Sequence, residues 1–407
     1  MQVRQVQFKM YPTRAQGEVL ETWNRLHCEL YNACLQERRD AYRKKGISLS
    51  YYDQQDQLPA VKEARSEFKA LGSQALQETV RRVDRAFQAF FRRVKAGQTP
   101  GYPRFKASRS YVGFCYPAKS GWAFELGDTG KHGKLNITNL GVIKLRGKPR
   151  QWGEARQLTL SKIAGQWYAT ITIRCEVIRT QGSLQAGIDL GTSRVASLSD
   201  GTQTENPRFL KQSAKRIATL NRELARRKKF GQNWKRTKLR LAHVSAGVAR
   251  QRSDFQHKLT ADLVATYGIL ATEELNIKNM TAHGGAGKKG LNRSILDVGM
   301  AGILQKLEYK AIEAGTRLWY VPARKVKPSQ TCPQCGHQKK KTLSERVHLC
   351  TECGYTADRD VAAAQVMLTW AIDNYSLGLA GGDGTGVLAN PCEPRNPDQT
   401  AQAVGRG

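Results

Sequence analysis

The sequence predicts a multidomain α+β chain: a small β-barrel interrupted by a helical insert, then an α/β domain with a cysteine-rich insert of its own. Three observations predict it. Strand-period and helix-period runs come in blocks: one strand, two long helices, a set of short strands, then strands and helices in alternation. Two Cys-x-x-Cys pairs mark a compact metal unit late in the chain. And 407 residues exceed one comfortable core, so two or three domains are expected.

Val6, Phe8 and Met10 alternate with Gln5, Gln7 and Lys9, the pattern of a half-buried strand that Tyr11-Pro12 ends. Thr13-x-x-Gln16 is a capping box for a helix with Val19, Leu20, Trp23, Leu26, Leu30 and Cys34 on one face. A polar, Gln-rich connection follows over 44–57. In a second helix, about 73–96, Leu76, Val80, Val83, Phe87, Phe90 and Val94 are spaced 4, 3, 4, 3, 4, one continuous core stripe. Its other faces hold Arg81, Arg82, Arg85, Arg92, Arg93 and Lys95, either a phosphate-binding surface or only a solvated face. Gly97 stops it. Beyond Gly101-Tyr-Pro-Arg-Phe-Lys106 come short strands at 122–126, 135–137 and 142–145, and a hairpin of 158–160 with 167–177 around Ala164-Gly165. Trp167, Ala169, Ile171, Ile173 and Cys175 share one face. Short strands with Gly-rich turns suggest a barrel that the first strand joins, giving 1–12 and 100–180 as barrel and 13–99 as helical insert.

After a linker at Gln181-Gly-Ser, Ala186-Gly-Ile-Asp-Leu-Gly191 reads as a strand and tight turn, with a second strand ending at Asp200-Gly201. Asp189 is a carboxylate in an apolar run. It is either a turn cap or a site residue, because a buried carboxylate is costly unless it is paired or binds a cation. Residues 211–258 are helical and carry 15 Lys/Arg against Glu223 and Asp254. An apolar strand then runs into Glu273-Glu274, 284–290 reads as a mobile Gly/Lys-rich loop, 295–314 as one helix and 317–321 as a strand. From 376 on, Gly, Asn, Asp and Pro dominate, and a disordered tail is expected.

Charge narrows the function. Lys and Arg number 66 against 34 Asp and Glu, a net +32. That excess points to a polyanion, nucleic acid before a membrane surface. No apolar run of about 18 residues exists to span a bilayer, and the N-terminus has no signal-peptide core. Nine cysteines, four of them in two pairs, suit a reducing cytoplasm and a metal site. Cys332-x-x-Cys335 and Cys350-x-x-Cys353 are separated by 14 residues, and Gly336 and Gly354 permit the tight turns. Four thiolates close a tetrahedral shell, so the expected zinc is structural. Immediately after, Asp358-Arg-Asp360 opens an Ala/Val/Met-rich helix. One acid suits the helix dipole, and two exceed what capping needs.

Asp189, Glu273 and Asp360 thus stand in apolar surroundings, far apart in sequence. Converging carboxylates repel unless cations lie between them, and two Mg²⁺ ions would resolve this and activate water against a phosphodiester. The order strand, hairpin, strand and helix fits an RNase H-like α/β fold.

These residues resemble a known family. Gly-Ile-Asp189-Leu-Gly, Ala-Thr-Glu273-Glu-Leu and Asp-Arg-Asp360 look like the Asp, Glu, Asp of the RuvC-like nuclease domain of TnpB proteins, transposon-encoded RNA-guided DNA endonucleases ancestral to compact type V CRISPR effectors. The zinc ribbon before the last Asp, Gly101-Tyr-Pro-Arg-Phe-Lys106 and Leu307-Glu-Tyr-Lys-Ala311 are similar too, and the likeness runs to about Trp370. It implies a β-barrel wedge domain (1–12 and 100–180), a helical recognition insert (13–99), a RuvC-like nuclease domain (181–327 and 355–375), a zinc ribbon (328–354) and a tail (376–407). It also implies catalysis by Asp189, Glu273 and Asp360 on two Mg²⁺, a guide RNA from the transposon end, a double-stranded DNA target beside a short motif, and a monomer with its RNA in the bacterial cytoplasm, at the nucleoid. Arg81, Arg82, Arg85, Arg92, Arg226, Arg227, Lys228, Lys229, Lys235 and Arg236 are the expected nucleic-acid contacts.

Two other classes stay open. Gly-Ile-Asp-Leu-Gly-Thr-Ser also looks like the first phosphate loop of sugar kinases and actin-like ATPases, yet no second phosphate loop follows and a kinase needs neither +32 nor four paired cysteines. A nuclease-inactive repressor or transposition accessory protein is the other, against which stand all three acids.

Overall fold

The N-terminal alternation builds β1 (Gln2–Tyr11), which buries Phe8 and Met10 and turns Lys9 outward. The structure, a computed structural model, describes residues 2–282, 285–342 and 345–376, and the chain divides between Val177 and Ile178 into two units.

In the first unit the capping box forms as expected: the Gln16 amide donates to the Thr13 oxygen and the Thr13 amide to the Gln16 side chain. It opens α1 (Arg14–Lys45). The polar connection is not plain loop. Ser50 and Asp53 make a second capping box, which starts α2 (Tyr51–Gln55), and α3 (Leu58–Ala64) follows. The striped helix is α4 (Ser73–Lys95). Leu76, Val80, Val83 and Phe87 are buried, but the stripe fails at its end, where Val94 is half exposed.

The strands β2 (Gly113–Tyr116), β3 (Trp122–Leu126), β4 (Gly133–Ile137), β5 (Gly141–Arg146), β6 (Glu154–Ile163) and β7 (Gln166–Cys175) join β1 in one antiparallel sheet, ordered β2-β6-β7-β1-β5-β4-β3. This corrects the expected barrel: among the described residues no ladder joins β2 to β3, and the sheet is open. Helices cover its β2 side. Phe114 stacks on His27 of α1 at 4.5 Å and meets Trp23 edge-on, and Arg82 of α4 donates to the Gly113 carbonyl at 2.6 Å. Sheet and helices share one apolar core, so burial is achieved without closure.

The second unit is built on five strands: β8 (Leu184–Asp189), β9 (Arg194–Leu198), β10 (Gln203–Glu205), β11 (Tyr267–Glu273) and β12 (Arg317–Val321). Their order is β10-β9-β8-β11-β12. The first three are antiparallel, and β11 runs parallel to both β8 and β12. The basic segment forms a helical hairpin of α5 (Phe209–Arg226) and α6 (Gln232–Thr266). After α7 (Ile277–Ala282), the expected loop is instead the start of α8 (Ala286–Val298), while 283–284 lie outside the described residues. The single helix expected over 295–314 is broken at Gly299, whose φ of 67° ends α8 and starts α9 (Met300–Ala314). Beyond α10 (Ala323–Val326), a two-stranded ribbon of β13 (Val347–Leu349) and β14 (Thr356–Asp358) leads into α11 (Arg359–Ser376). The expected tail, from 377 on, lies outside the described residues. No helix among those described is long and apolar enough to cross a membrane.

Candidate functional site

Asp189 ends β8 and Glu273 ends β11. The two strands are parallel, with Thr272 paired to Ile188, so the two acids emerge side by side at their carboxyl ends. This is where the strand order reverses direction around β8, the place where open α/β sheets form their crevice. Glu274, next in sequence, points the other way into solvent.

The third acid arrives on α11, which packs across the sheet through Ala364, Met367 and Ala371 against Ala271 and Val321. The approach to β8 is very close: a Cβ on Gly187 would sit 1.8 Å from the Ala364 carbonyl oxygen, so only glycine fits there. Asp360 lies one helical turn before that contact, in the first turn of α11.

The two acids around Arg359 have separate tasks. Asp358 caps the helix: its carboxylate accepts from the Asp360 amide at 2.9 Å and the Val361 amide at 3.3 Å, and it pairs with Arg194 at 3.2 Å. Asp360 is held by Arg359, which donates to one carboxylate oxygen from two nitrogens at 3.1 and 3.0 Å. Arg194 and Arg359 were not found from the sequence. The one signal was an Arg between two Asp.

Burial pushes the Asp189 carboxyl up to about 8, and the charges of Glu273 and Asp360 push the same way, only partly opposed by Arg359. Burial also raises Glu273. Arg359 offsets only part of this negative charge, and hard divalent cations with oxygen ligands are the natural complement of the rest. The donor set therefore fits Mg²⁺.

The ribbon brings its four cysteines together. All four sulfurs lie within 4.8 Å of one another, with Cys332–Cys353 at 3.7 Å and Cys335–Cys350 at 3.5 Å. A tetrahedral zinc with sulfurs about 2.3 Å away separates them by about 3.8 Å, whereas a disulfide needs about 2.05 Å. The two knuckles are built alike. In each, the first cysteine's carbonyl accepts from the glycine amide (Gly336, Gly354), and its amide donates five residues on (His337, Tyr355). Gly336 and Gly354 have φ of 73° and 74°. His348 is buried but turned to Lys341 and Tyr355, outside the sulfur cluster.

The expected nucleic-acid contacts lie on α4 in the first unit and around the α5–α6 hairpin in the second. Arg82 turns inward onto Gly113 and Tyr111. Arg81 stacks on Tyr51 at 4.8 Å, and Arg85 pairs with Glu78 at 2.7 Å. Arg92 is exposed on α4. Arg226, Arg227, Lys228 and Lys229 surround the tip of the α5–α6 hairpin, with Lys235 and Arg236 on the first turn and a half of α6. Glu223 pairs with Arg227 and Arg240.

A family profile named OrfB_IS605, described as a probable transposase, matches residues 172–283, and the Cas12f1-like TNB domain matches residues 301–367. InsQ of Escherichia coli (strain K12), named provisionally as an RNA-guided DNA endonuclease, is 31% identical over 310 residues, 73% of this chain and 74% of its own. A Streptomyces pristinaespiralis protein named in the same way is 27% identical over 375 residues, 90% of this chain and 88% of its own. Among solved structures, Cas12f1 in its complex with sgRNA and target DNA superposes with a TM-score of 0.56 at 13% identity, covering 86% of this chain and 82% of that one, a likeness of fold.

Proposed function

The chain belongs to the TnpB family, and on that premise we propose that it is a transposon-encoded RNA-guided DNA endonuclease that hydrolyses phosphodiesters at Asp189, Glu273 and Asp360. The observation that carries the site is the placement of two acids at the carboxyl ends of adjoining parallel strands, with a third brought over them on α11. The sheet order and its single antiparallel half fit an RNase H-like nuclease domain.

Mg²⁺ ions bound there supply Lewis-acid stabilisation of phosphoryl charge and lower the pKa of the attacking water. The protein's part is ligation and placement. Asp189, Glu273 and Asp360 present the carboxylates. Gly187 lets α11 approach closely enough for Asp360 to reach its partners. Asp358 fixes the N-terminus of α11, and Arg359 holds one oxygen of Asp360 in place. The zinc ribbon, closed by Cys332, Cys335, Cys350 and Cys353, anchors β14 and so the start of that helix. We assign 1–12 and 100–180 to the wedge, 13–99 to recognition, 181–327 and 355–375 to the nuclease, and 328–354 to the ribbon. A guide RNA from the transposon end pairs with the target strand, the protein acts as a monomer with that RNA, and its Lys and Arg hold backbone rather than sequence.

The test is to express the chain with the flank of its own gene, sequence the RNA that copurifies, and add a matching duplex with Mg²⁺. A defined flank RNA and guided cutting are expected. A heterogeneous RNA pool with no cutting of the matched duplex would overturn the assignment.

A further inference from the structure

From the tip of the α5–α6 hairpin we infer a nucleobase-stacking site formed by Phe230 and Trp234. The inference rests on the reading that this chain binds nucleic acid, and it assigns to two aromatic residues what that reading leaves to cations. Three observations carry it.

Phe230 is 52% exposed, beside Trp234, with ring centroids 5.5 Å apart. Both aromatics lie at the turn between α5 and α6, and neither belongs to the apolar cores. The Phe230 backbone is left-handed, with φ 69°, a conformation that a bulky side chain adopts only against strain. Glycine would be the unstrained choice at this turn, so the ring is held out where the backbone disfavours it.

The surroundings name the occupant. Lys229 lies 5.5 Å from the Phe230 ring centre and Lys238 lies 4.9 Å from that of Trp234. Lys228, Lys235 and Arg236 stand close by in sequence, and none of these five cations has an acidic partner among the described residues. An apolar protein partner would have to bury that charge. A nucleic acid satisfies both features, since its phosphates meet the cations and a base meets the rings. A concave space of about 320 Å³ lined by Arg227, Lys228, Gly231, Gln232, Asn233 and Trp234 adjoins the pair. The occupant is an unstacked base, in a single strand or at the end of a duplex, of RNA or DNA.

The experiment uses the full zinc-loaded chain and four 20-residue oligomers: dT, rU, and a base-free phosphodiester of each sugar. Wild type is expected to prefer the based oligomers. Phe230→Ala with Trp234→Ala is expected to weaken binding to dT, rU or both by about 10-fold, stacking being removed, with binding to the base-free strands and the salt slope unchanged. Which of dT and rU responds identifies the nucleic acid served. Phe230→Gly relieves the backbone and is expected to fold at least as well as wild type while weakening base-dependent binding in the same way. An equal loss on based and base-free strands, or no loss on either, would overturn the stacking site, the latter leaving the rings to some other surface. Failure of wild type to bind any oligomer would instead remove the nucleic-acid reading itself.

Discussion

The two groups of proposed metal ligands differ in what brings them together. The ribbon's four sulfurs come from 22 consecutive residues, Cys332 to Cys353, and two short knuckles set their geometry. The three acids come from two strands and a helix spread over 172 residues, Asp189 to Asp360, and come within electrostatic range of one another only through a parallel strand pair and one glycine contact. The four sulfurs lie within 4.8 Å of one another, enough to fill a tetrahedral shell by themselves. The acidic group is open, and Arg359 offsets only part of its charge. A closed shell stabilises a fold, while an open one leaves positions for water and substrate. The open cluster is therefore expected to govern chemistry and the closed one to govern placement, and the variants below test that division.

The largest effect falls on the acids. Asp189→Asn, Glu273→Gln and Asp360→Asn are each expected to lower guided cleavage by on the order of 10³-fold or more, with target binding retained. Asp358→Asn touches the helix cap and the Arg194 pair, not a proposed metal ligand, and is expected to keep most of the activity. Single-turnover cleavage beside a binding assay checks both, and the reverse order for the two aspartates would exchange their roles.

Loss of the ribbon comes next. Cys353→Ser is expected to release zinc, read as metal content, and to lower cleavage by about 10–100-fold, as loss of a supporting shell does. Stoichiometric zinc in that variant would break the four-sulfur assignment.

Stability responds to the acids in the opposite sense. Burial pushes the folded Asp189 carboxyl up to about 8, whereas an unfolded Asp titrates near about 3.9. The folded state thus binds more protons over that window, and the stability of the Mg²⁺-free protein falls as pH rises through it. Asp189→Asn removes this slope. It is expected to raise stability at pH 8 by about 1–3 kcal/mol, a fraction of the full shift because the asparagine amide must itself be buried there. The gap should narrow toward pH 6 and close when Mg²⁺ is added to wild type, as followed by urea unfolding.

The smallest and most uniform effect is expected at the hairpin tip. Changing Arg226, Arg227, Lys228 and Lys229 together to Gln is expected to weaken binding across all targets. The log–log salt slope is expected to fall by roughly 0.7–0.9 for each phosphate that these side chains no longer neutralise. Target choice is expected to stay the same. An unchanged slope would mean that these charges only solvate a helix face.

The same contrast explains what could be read in advance. The knuckles, the Thr13–Gln16 capping box and the α4 stripe are set by neighbours in sequence; the first two formed where expected, and the stripe is buried from Leu76 to Phe87. The acids were legible as chemistry, a carboxylate in each of three apolar runs, but no spacing rule reports the strand pairing that joins Asp189 to Glu273. Non-local packing also hid the open sheet, because Phe114 finds its partners on α1 rather than across a closing barrel. Arg82 reads as surface charge on a helical wheel, yet the Gly113 carbonyl draws it inward. The break at Gly299 was missed because an apolar pattern continues on both sides of it, through Ile295 and Val298 to Met300 and Ile303.

Whether the three acids hold divalent cations is tested most directly by binding, apart from cleavage. Mn²⁺ titrated into the zinc-loaded protein at pH 8, followed by calorimetry or electron paramagnetic resonance, is expected to show saturable binding in wild type and in Asp358→Asn. In Asp189→Asn that binding is expected to disappear. Mn²⁺ bound by Asp189→Asn with wild-type affinity and stoichiometry would contradict a metal site at these carboxylates.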